Sequence, residues 1–364
     1  MKFSAIALAL TAAAFASTAH AQSNVTLFGL VDQSVAHITH VNAAKDSTTK
    51  MPTNSTFPSR WGLRGTEDLG NGYKAGFVLE SGFSLDSGIS MQGGRLFGRQ
   101  AHVLLSTPYG TLTLGRQYSM LFYSLLGSDQ LGPHLFGSGS LDPYIANFRM
   151  DNAVGYMGKM GGFQYGATYS FGRDAAATGG PAATNCGGES AIDRRACRQW
   201  TALLKYDAPT WGIASAYDKL YGGPSVVFGG PSALNSSAYY DARTTVSGYK
   251  ILGDLRLSVG WIGRTNQSTV SFKQDMVFAA AGYALTPALF VDGEVYRYTK
   301  RRSADDTTMY VARATYSLSK RTAVYLTGGY LTNGGNATNS LDGMSGAGPG
   351  LNQVGVAAGL RHTF

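Results

Sequence analysis

The sequence predicts an all-β fold, a sixteen-stranded antiparallel barrel that crosses a membrane with short turns at one end and long loops at the other. Three observations carry this expectation. The chain ends in a strictly alternating strand, charged residues make up only 14% of it, and tight turns alternate with long polar segments along its length.

In the stretch 354–364, Val354, Val356, Ala358, Leu360 and Phe364 share one parity. The small or polar Gly355, Ala357, Gly359, Arg361 and Thr363 share the other. A strand turns successive side chains to opposite faces, so this one has an oily side and a wet side. A terminal aromatic frays from a soluble sheet, whereas a membrane barrel seats it in an interfacial girdle. Alone, the pattern also fits the last strand of a soluble β-sandwich.

At the other end Lys2 precedes the apolar run 5–16, followed by Ser17-Thr18-Ala19-His20-Ala21. A basic start, a short apolar core and an A-x-A site predict a secretory signal peptide over 1–21, cut between Ala21 and Gln22, and one barrel domain over 22–364. The run is too short to cross about 30 Å of hydrocarbon as a helix. No later stretch supplies about 20 consecutive apolar residues.

Composition narrows the class. Gly is heavily used, at 48 residues, and the charged fraction lies well below the ~25% of soluble proteins. Such a chain results when half the strand positions meet lipid and half meet water. The net charge of +8 raises the question of nucleic acid, but the longest basic run is Lys300-Arg301-Arg302 and no binding motif occurs. No nucleic-acid partner is expected, and the cations instead suggest a basic surface or lumen. Cys186 and Cys197 are expected to close a disulfide that holds a surface loop, as two cysteines in one loop of an exported chain most simply do. No further ligands lie near them, so neither a metal nor a cofactor is expected.

Turn signals fall at 68–72, 108–110, 159–162, 208–210, 252–254, 286–287 and 319–321. Longer segments rich in Gly, Ser, Asn and Ala fall between them, at 38–57, 85–95, 118–147, 173–197, 222–236, 265–272, 300–306 and 334–351. Regular alternation of short and long connections implies sixteen strands, with room for the 9–11 residues that a tilted membrane strand needs. In 198–207 the row Trp200, Ala202, Leu204 and Tyr206 opposes Thr201, Lys205 and Asp207. In 254–264 Leu255, Leu257, Val259 and Trp261 oppose Arg256 and Ser258. In 307–318 Tyr310, Ala312, Ala314, Tyr316 and Leu318 oppose Val311, Arg313 and Thr315. An Arg or Lys on the lipid face costs about 2–4 kcal/mol at the midplane, so most charges must face the lumen, the loops or a subunit contact. A wet lumen is a pore.

Four arginines in the first third of the wall, Arg60, Arg64, Arg99 and Arg149, are expected to form a basic ladder along that lumen. The alternative is a set of ordinary wet-face charges neutralised by carboxylates such as Asp32, Glu80 and Asp151. Arg116 shares parity with Leu112 and Leu114 and is assigned to a strand end or subunit contact. The longest connection, 118–147, carries Met120, Leu121, Phe122, Leu125, Leu126, Leu131, Leu135 and Phe136, and an apolar loop of that length packs on something. It is expected to fold inward, narrow the pore and bring Asp129, with His134 or Asp142, opposite the arginines. One charge about 10 Å away across water contributes ~0.4 kcal/mol before screening over ~8 Å, so three give only a several-fold preference between ions. A weakly anion-selective pore is the expectation, with a substrate-specific sugar or phosphate channel as the alternative. An enzyme is not expected: His37, His40, His102, His134 and His362 are scattered, and neither G-x-S-x-G nor H-E-x-x-H occurs.

Several motifs together resemble those of the Gram-negative general porins, of the type found in β-proteobacteria such as Burkholderia, Comamonas and Neisseria. They are Val25-Thr26-Leu27-Phe28-Gly29-Leu30-Val31-Asp32, the run Ser59-Arg60-Trp61-Gly62-Leu63-Arg64-Gly65-Thr66-Glu67-Asp68-Leu69-Gly70, Leu114-Gly115-Arg116-Gln117, Leu318-Ser319-Lys320-Arg321-Thr322 and Gly359-Leu360-Arg361-His362-Thr363-Phe364. The resemblance implies a homotrimer of sixteen-stranded barrels in the outer membrane, with short periplasmic turns and each channel constricted by its third external loop. It also implies that Arg60, Arg99 and Arg149 match a basic constriction cluster with Arg64 beside them, and that Asp129 matches an acidic loop position. Where some relatives carry a Lys early in the first strand, this sequence has Leu30. The implied surroundings are outer-membrane lipid and lipopolysaccharide, the implied cargo small hydrophilic solutes and ions, and Phe364 the signal read by the barrel assembly machinery.

Overall fold

The computed structural model describes residues 24–142, 149–173, 186–224, 233–343 and 345–364. The segment expected to be a signal peptide, with Ala21 and Gln22, lies outside them.

Sixteen wall strands follow one another in chain order. They are β1 (Asn24–Ile38), β2 (Arg60–Gly70), β3 (Tyr73–Gly82), β4 (Gln100–Thr107), β5 (Gly110–Tyr118), β6 (Ala153–Met160), β7 (Phe163–Ser170) and β8 (Gln199–Ala208), then β9 (Trp211–Tyr221), β10 (Tyr240–Leu252), β11 (Leu255–Gln267), β12 (Phe272–Ala284), β13 (Leu289–Lys300), β14 (Thr307–Ser317), β15 (Thr322–Asn333) and β16 (Gln353–Thr363). Every neighbouring pair is antiparallel. The first strand closes the ring: its first half pairs with β2 (Asn24↔Thr66 to Leu30↔Arg60) and its second half with β16 (Leu30↔Thr363 to Ile38↔Gly355). Closure matters because hydrocarbon offers no partner to an unpaired N–H or C=O. Two short pieces extend the ladder: Thr48–Lys50 pairs with the end of β1, and Arg149–Met150 pairs with Gln117 and Tyr118 ahead of β6. Among the described residues no helix is long and apolar enough to cross a membrane.

Parity sorts the side chains as the sequence implies. Along β16 Val354, Val356, Ala358 and Leu360 lie exposed on the outer wall, while Gln353, Gly355 and Ala357 are buried inside. The same outward row continues through Leu204, Ile213, Val259, Val277, Tyr310 and Leu326. Phe364 prolongs it: its backbone N–H and C=O both pair with Gly29 at 3.0 Å, and its ring covers the outer face of that glycine, where a Cβ would sit 2.2 Å from the ring.

The inner face is less uniformly wet than strand parity alone suggests. Ile262, Met276, Phe278, Met309, Val311 and Leu331 point inward from β11–β15 and are buried. Their cover is the loop after β5, which carries the helix α1 (Met120–Leu125) and a single 3₁₀ turn at Ser138–Ser140. Leu121, Leu125, Leu131, Phe136 and Leu141 from this loop form one buried cluster with those inward residues. The third long connection is therefore folded into the barrel, and apolar side chains on both partners leave water together.

Polar bonds fix its course along the far wall. The Ser124 and Thr245 hydroxyls share a hydrogen bond of 2.7 Å, Ser258 donates to the Ser128 carbonyl at 2.6 Å, and the Leu131 N–H donates to Glu294 at 3.0 Å. Phe136 has no exposed surface and sits over Gly329 and Gly355, where an added Cβ at 355 would meet its ring at 2.6 Å. Only glycine at 355 leaves room for the ring, whereas at 329 an added Cβ would first meet Leu341, at 2.9 Å. Outside the barrel wall, Cys186 and Cys197 are joined, with Cα atoms 5.7 Å apart, in the connection between β7 and β8.

Candidate functional site

The inward loop leaves a water-accessible cavity of about 1250 Å³ against the wall made by β1–β5. Three guanidinium groups meet there. Arg60 opens β2, Arg99 precedes β4 and Arg149 precedes β6, so each sits at a strand's external end, where the long loops begin. Glu80 on β3 is the common partner: Arg60 lies 3.1 Å from it and Arg99 3.0 Å, while Gln100 donates to its other oxygen at 2.8 Å. Arg99 also donates to the Tyr118 hydroxyl at 2.9 Å, and the Arg149 guanidinium lies 5.5 Å above the same ring. Stacking and a shared carboxylate thus hold three like charges together. One carboxylate among three guanidinium groups makes this wall net positive.

Not every expected residue joins the cluster. Arg64 is exposed, lies over the Phe28 ring at 5.2 Å and does not line the cavity. Four residues further along β2 place it about 13 Å nearer the short-turn end, so shared parity did not bring it to the shared depth. Asp142 is a second correction. It is buried with Arg243 at 2.8 Å and ties the loop to β10 rather than facing the arginines. Asp129 lines the cavity, but its oxygens accept from the Gly132 N–H at 2.9 Å, the Ser138 hydroxyl at 2.6 Å and the Tyr296 hydroxyl at 3.3 Å. Its first duty is to shape the loop. Arg116 is buried at the end of β5, donates from Nε to the Gly98 carbonyl at 2.7 Å and pairs with Asp151. Two of the carboxylates weighed as neutralising partners, Glu80 and Asp151, do hold arginines.

His134 lines the cavity beside Phe57, with ring centroids 5.6 Å apart. Burial and the nearby guanidinium groups of Arg99, Arg60, Arg313 and Arg149 push its pKa down to about 3. The imidazole is therefore neutral above that pH and adds no charge to the pore. Replacing it, His134→Asn, is expected to leave the reversal potential of the reconstituted channel unchanged between pH 5 and 8. A fall in anion preference at pH 5 in the variant alone would show an imidazolium there.

Sequence reasoning missed the rest of the rim. Arg313 on β14 lines the cavity, paired with Asp292, and Arg256 on β11 reaches it over the Tyr249 ring at 4.5 Å. Both stand at wet-face positions, which was the available signal; nothing local said that their strands line one cavity with β2 and β3. Lys50 completes the lining, paired with Asp342. Among the described residues six basic and five acidic side chains line the cavity, so its charge nearly balances outside the Arg60–Arg99–Arg149 wall.

Comparison with known proteins gives a consistent result. A family model described as Gram-negative porin matches residues 6–336. Outer membrane porin protein 32 of Delftia acidovorans is 32% identical over the full length of both chains. A second outer membrane porin protein, from Bordetella pertussis, is 30% identical, covering 92% of this chain and 95% of its own. The solved anion-selective porin from Comamonas acidovorans superposes with a TM-score of 0.77 at 24% identity, covering 94% of this chain and all of its own, a likeness of fold.

Proposed function

The chain belongs to the Gram-negative porin family, an outer-membrane barrel that is a passive channel and not an enzyme, and from that premise we propose that its lumen passes small hydrophilic solutes and ions with a weak preference for anions. The observation that carries the sign is the wall of Arg60, Arg99 and Arg149 gathered around the single carboxylate of Glu80. Two net charges about 10 Å from a passing ion attract an anion and repel a cation by ~0.8 kcal/mol each across water, and screening over ~8 Å cuts that ~1.6 kcal/mol difference to about 0.5 kcal/mol, short of the ~1.4 kcal/mol of a tenfold preference. The near balance of the remaining lining also keeps the preference small. The Comamonas porin, described as anion-selective, agrees in sign.

In this reading Arg60, Arg99 and Arg149 form the charged side of the constriction, and the loop with Asp129 and His134 forms its other side. The protein works as a homotrimer, each copy with its own channel. The outward aromatic Phe364 is the element read by the barrel assembly machinery, and the Cys186–Cys197 bridge braces an external loop. Planar-bilayer recording in a KCl gradient tests the proposal. A reversal potential of anionic sign with three equal closing steps is expected. A cationic sign would overturn the selectivity, a single closing step would overturn the trimer, and saturable block by one sugar or by phosphate would replace the general pore with a specific channel.

A further inference from the structure

A second connection enters the barrel beside the loop after β5. It is the last part of the first connection, residues 51–58, between the short piece Thr48–Lys50 and β2. Met51, Pro52, Phe57 and Pro58 line the same cavity as the arginine wall. Ser55 and Thr56 are buried, and their partners are inward side chains of β1. The Ser34 and Ser55 hydroxyls share a hydrogen bond of 2.8 Å, the Thr56 hydroxyl donates to the Asp32 carboxylate, and the Phe57 N–H donates to the same carboxylate at 2.8 Å. Asp32 is itself buried and also accepts from the Tyr325 hydroxyl of β15. A carboxylate out of water needs such donors, so Asp32 fixes the segment rather than facing solutes. The Leu135 N–H donates to the Ser55 carbonyl at 3.2 Å, which joins the segment to the inward loop.

Behind this segment lies a cation. Arg361 on β16 has the inward parity and stands opposite Asp32 in the ladder. Its guanidinium lies 4.9 Å from the Phe57 ring centroid. Arg361 is half-buried and does not line the cavity, whereas Phe57 does. The charged groups that act on it are Asp32, Arg313, Asp292 and the Tyr325 hydroxyl, and among the described residues it makes no ion pair. A ring face suits a cation and also limits how near a hydrated anion comes to it. Phe57 thus stands between an inward cation and the passing ions.

We infer that Phe57 is a specificity-determining residue of the channel: held on Asp32 by its segment, it covers Arg361 and keeps that charge from counting at the constriction. Passing ions then meet Arg60, Arg99 and Arg149 but not Arg361. Attraction across water falls with distance and is screened over ~8 Å, so holding an anion at about 10 Å instead of about 5 Å removes most of one charge's pull. Removing the ring therefore strengthens the anion preference even as the opening widens. A residue that only filled space would act in the opposite direction, because a wider pore screens its wall charges better. The inference rests on the proposed porin reading and goes beyond it by giving the first connection a part in selectivity.

Planar-bilayer recording of Phe57→Ala in a KCl gradient tests it. The anion-to-cation permeability ratio is expected to rise about threefold over wild type, with a larger unit conductance. Phe57→Leu keeps an apolar cover and should stay close to wild type. Arg361→Gln alone should move the ratio little, and in the Phe57→Ala background it should cancel the rise; this non-additivity is the signature of a covered charge. A ratio unchanged or lowered in Phe57→Ala, or a rise that survives Arg361→Gln, overturns the assignment. Wild-type protein that forms no channels would refute the porin reading instead. Should Phe57→Ala fail to fold, Arg361→Cys leaves the ring in place: a charged thiosulfonate reagent in the lumen should modify it about fivefold more slowly than Arg60→Cys, since access limits the rate. Equal modification rates would show that Arg361 is open to the lumen and overturn the cover.

Discussion

Replacing Arg60 and Arg99 together with alanine is expected to carry the reversal potential through zero, from a weak anion to a weak cation preference. The two guanidinium groups sit on one carboxylate, at 3.1 and 3.0 Å from Glu80. Their loss leaves Arg149 against Glu80 at the wall and changes the lining from six basic and five acidic side chains to four and five. Each charge contributes ~0.4 kcal/mol of opposite sign for an anion and a cation at about 10 Å across water, so removing two shifts the ion balance a few-fold once screening over ~8 Å is included. The lysine pair Arg60→Lys with Arg99→Lys keeps the charge but loses the fork that spans Glu80 and Tyr118, and should retain the anionic sign. Recording both variants in a KCl gradient separates charge from packing. A reversal potential unmoved by the alanine pair would mean that the constriction lies elsewhere in the lumen.

Truncation of Phe136 to alanine is expected to enlarge the unit conductance and make the open channel noisier. This ring is fully buried and anchors the inward loop over Gly329 and Gly355. Deleting a buried Phe side chain costs about 3–5 kcal/mol, enough to free that stretch of loop locally, while the ladder of the wall keeps the barrel closed. Gly355→Val fills the same space from the other side and should give a similar phenotype. If both variants conduct as wild type, the loop is held by its polar ties alone, such as Leu131 to Glu294 and Asp142 to Arg243.

Much of the architecture was legible because it is local. Turn residues such as Gly70-Asn71-Gly72 and the pair Gly161-Gly162 mark short connections wherever they occur, and three of these glycines do adopt positive φ. The loop's apolar content announced that it needed a partner, and Phe136 and Leu121 found one inside the barrel. The site was legible only in part. Arg60, Arg99 and Arg149 could be grouped because their strands follow closely in sequence, whereas Arg64 was grouped with them on parity although depth separates it. Asp142 looked available to the pore because its partner Arg243 lies 101 residues away.

By itself, the sequence determined which side chains meet lipid and which meet water. That choice repeats every two residues and needs no knowledge of any other strand. Only the closed ring decided which charges share the lumen. Arg313 and Arg256 join the lining because ring closure brings β14 within four strands of β2 and carries β11 across from β3. Electrostatics depends on distance through space, and for strands a hundred or more residues apart that distance exists only once the last strand has paired with the first.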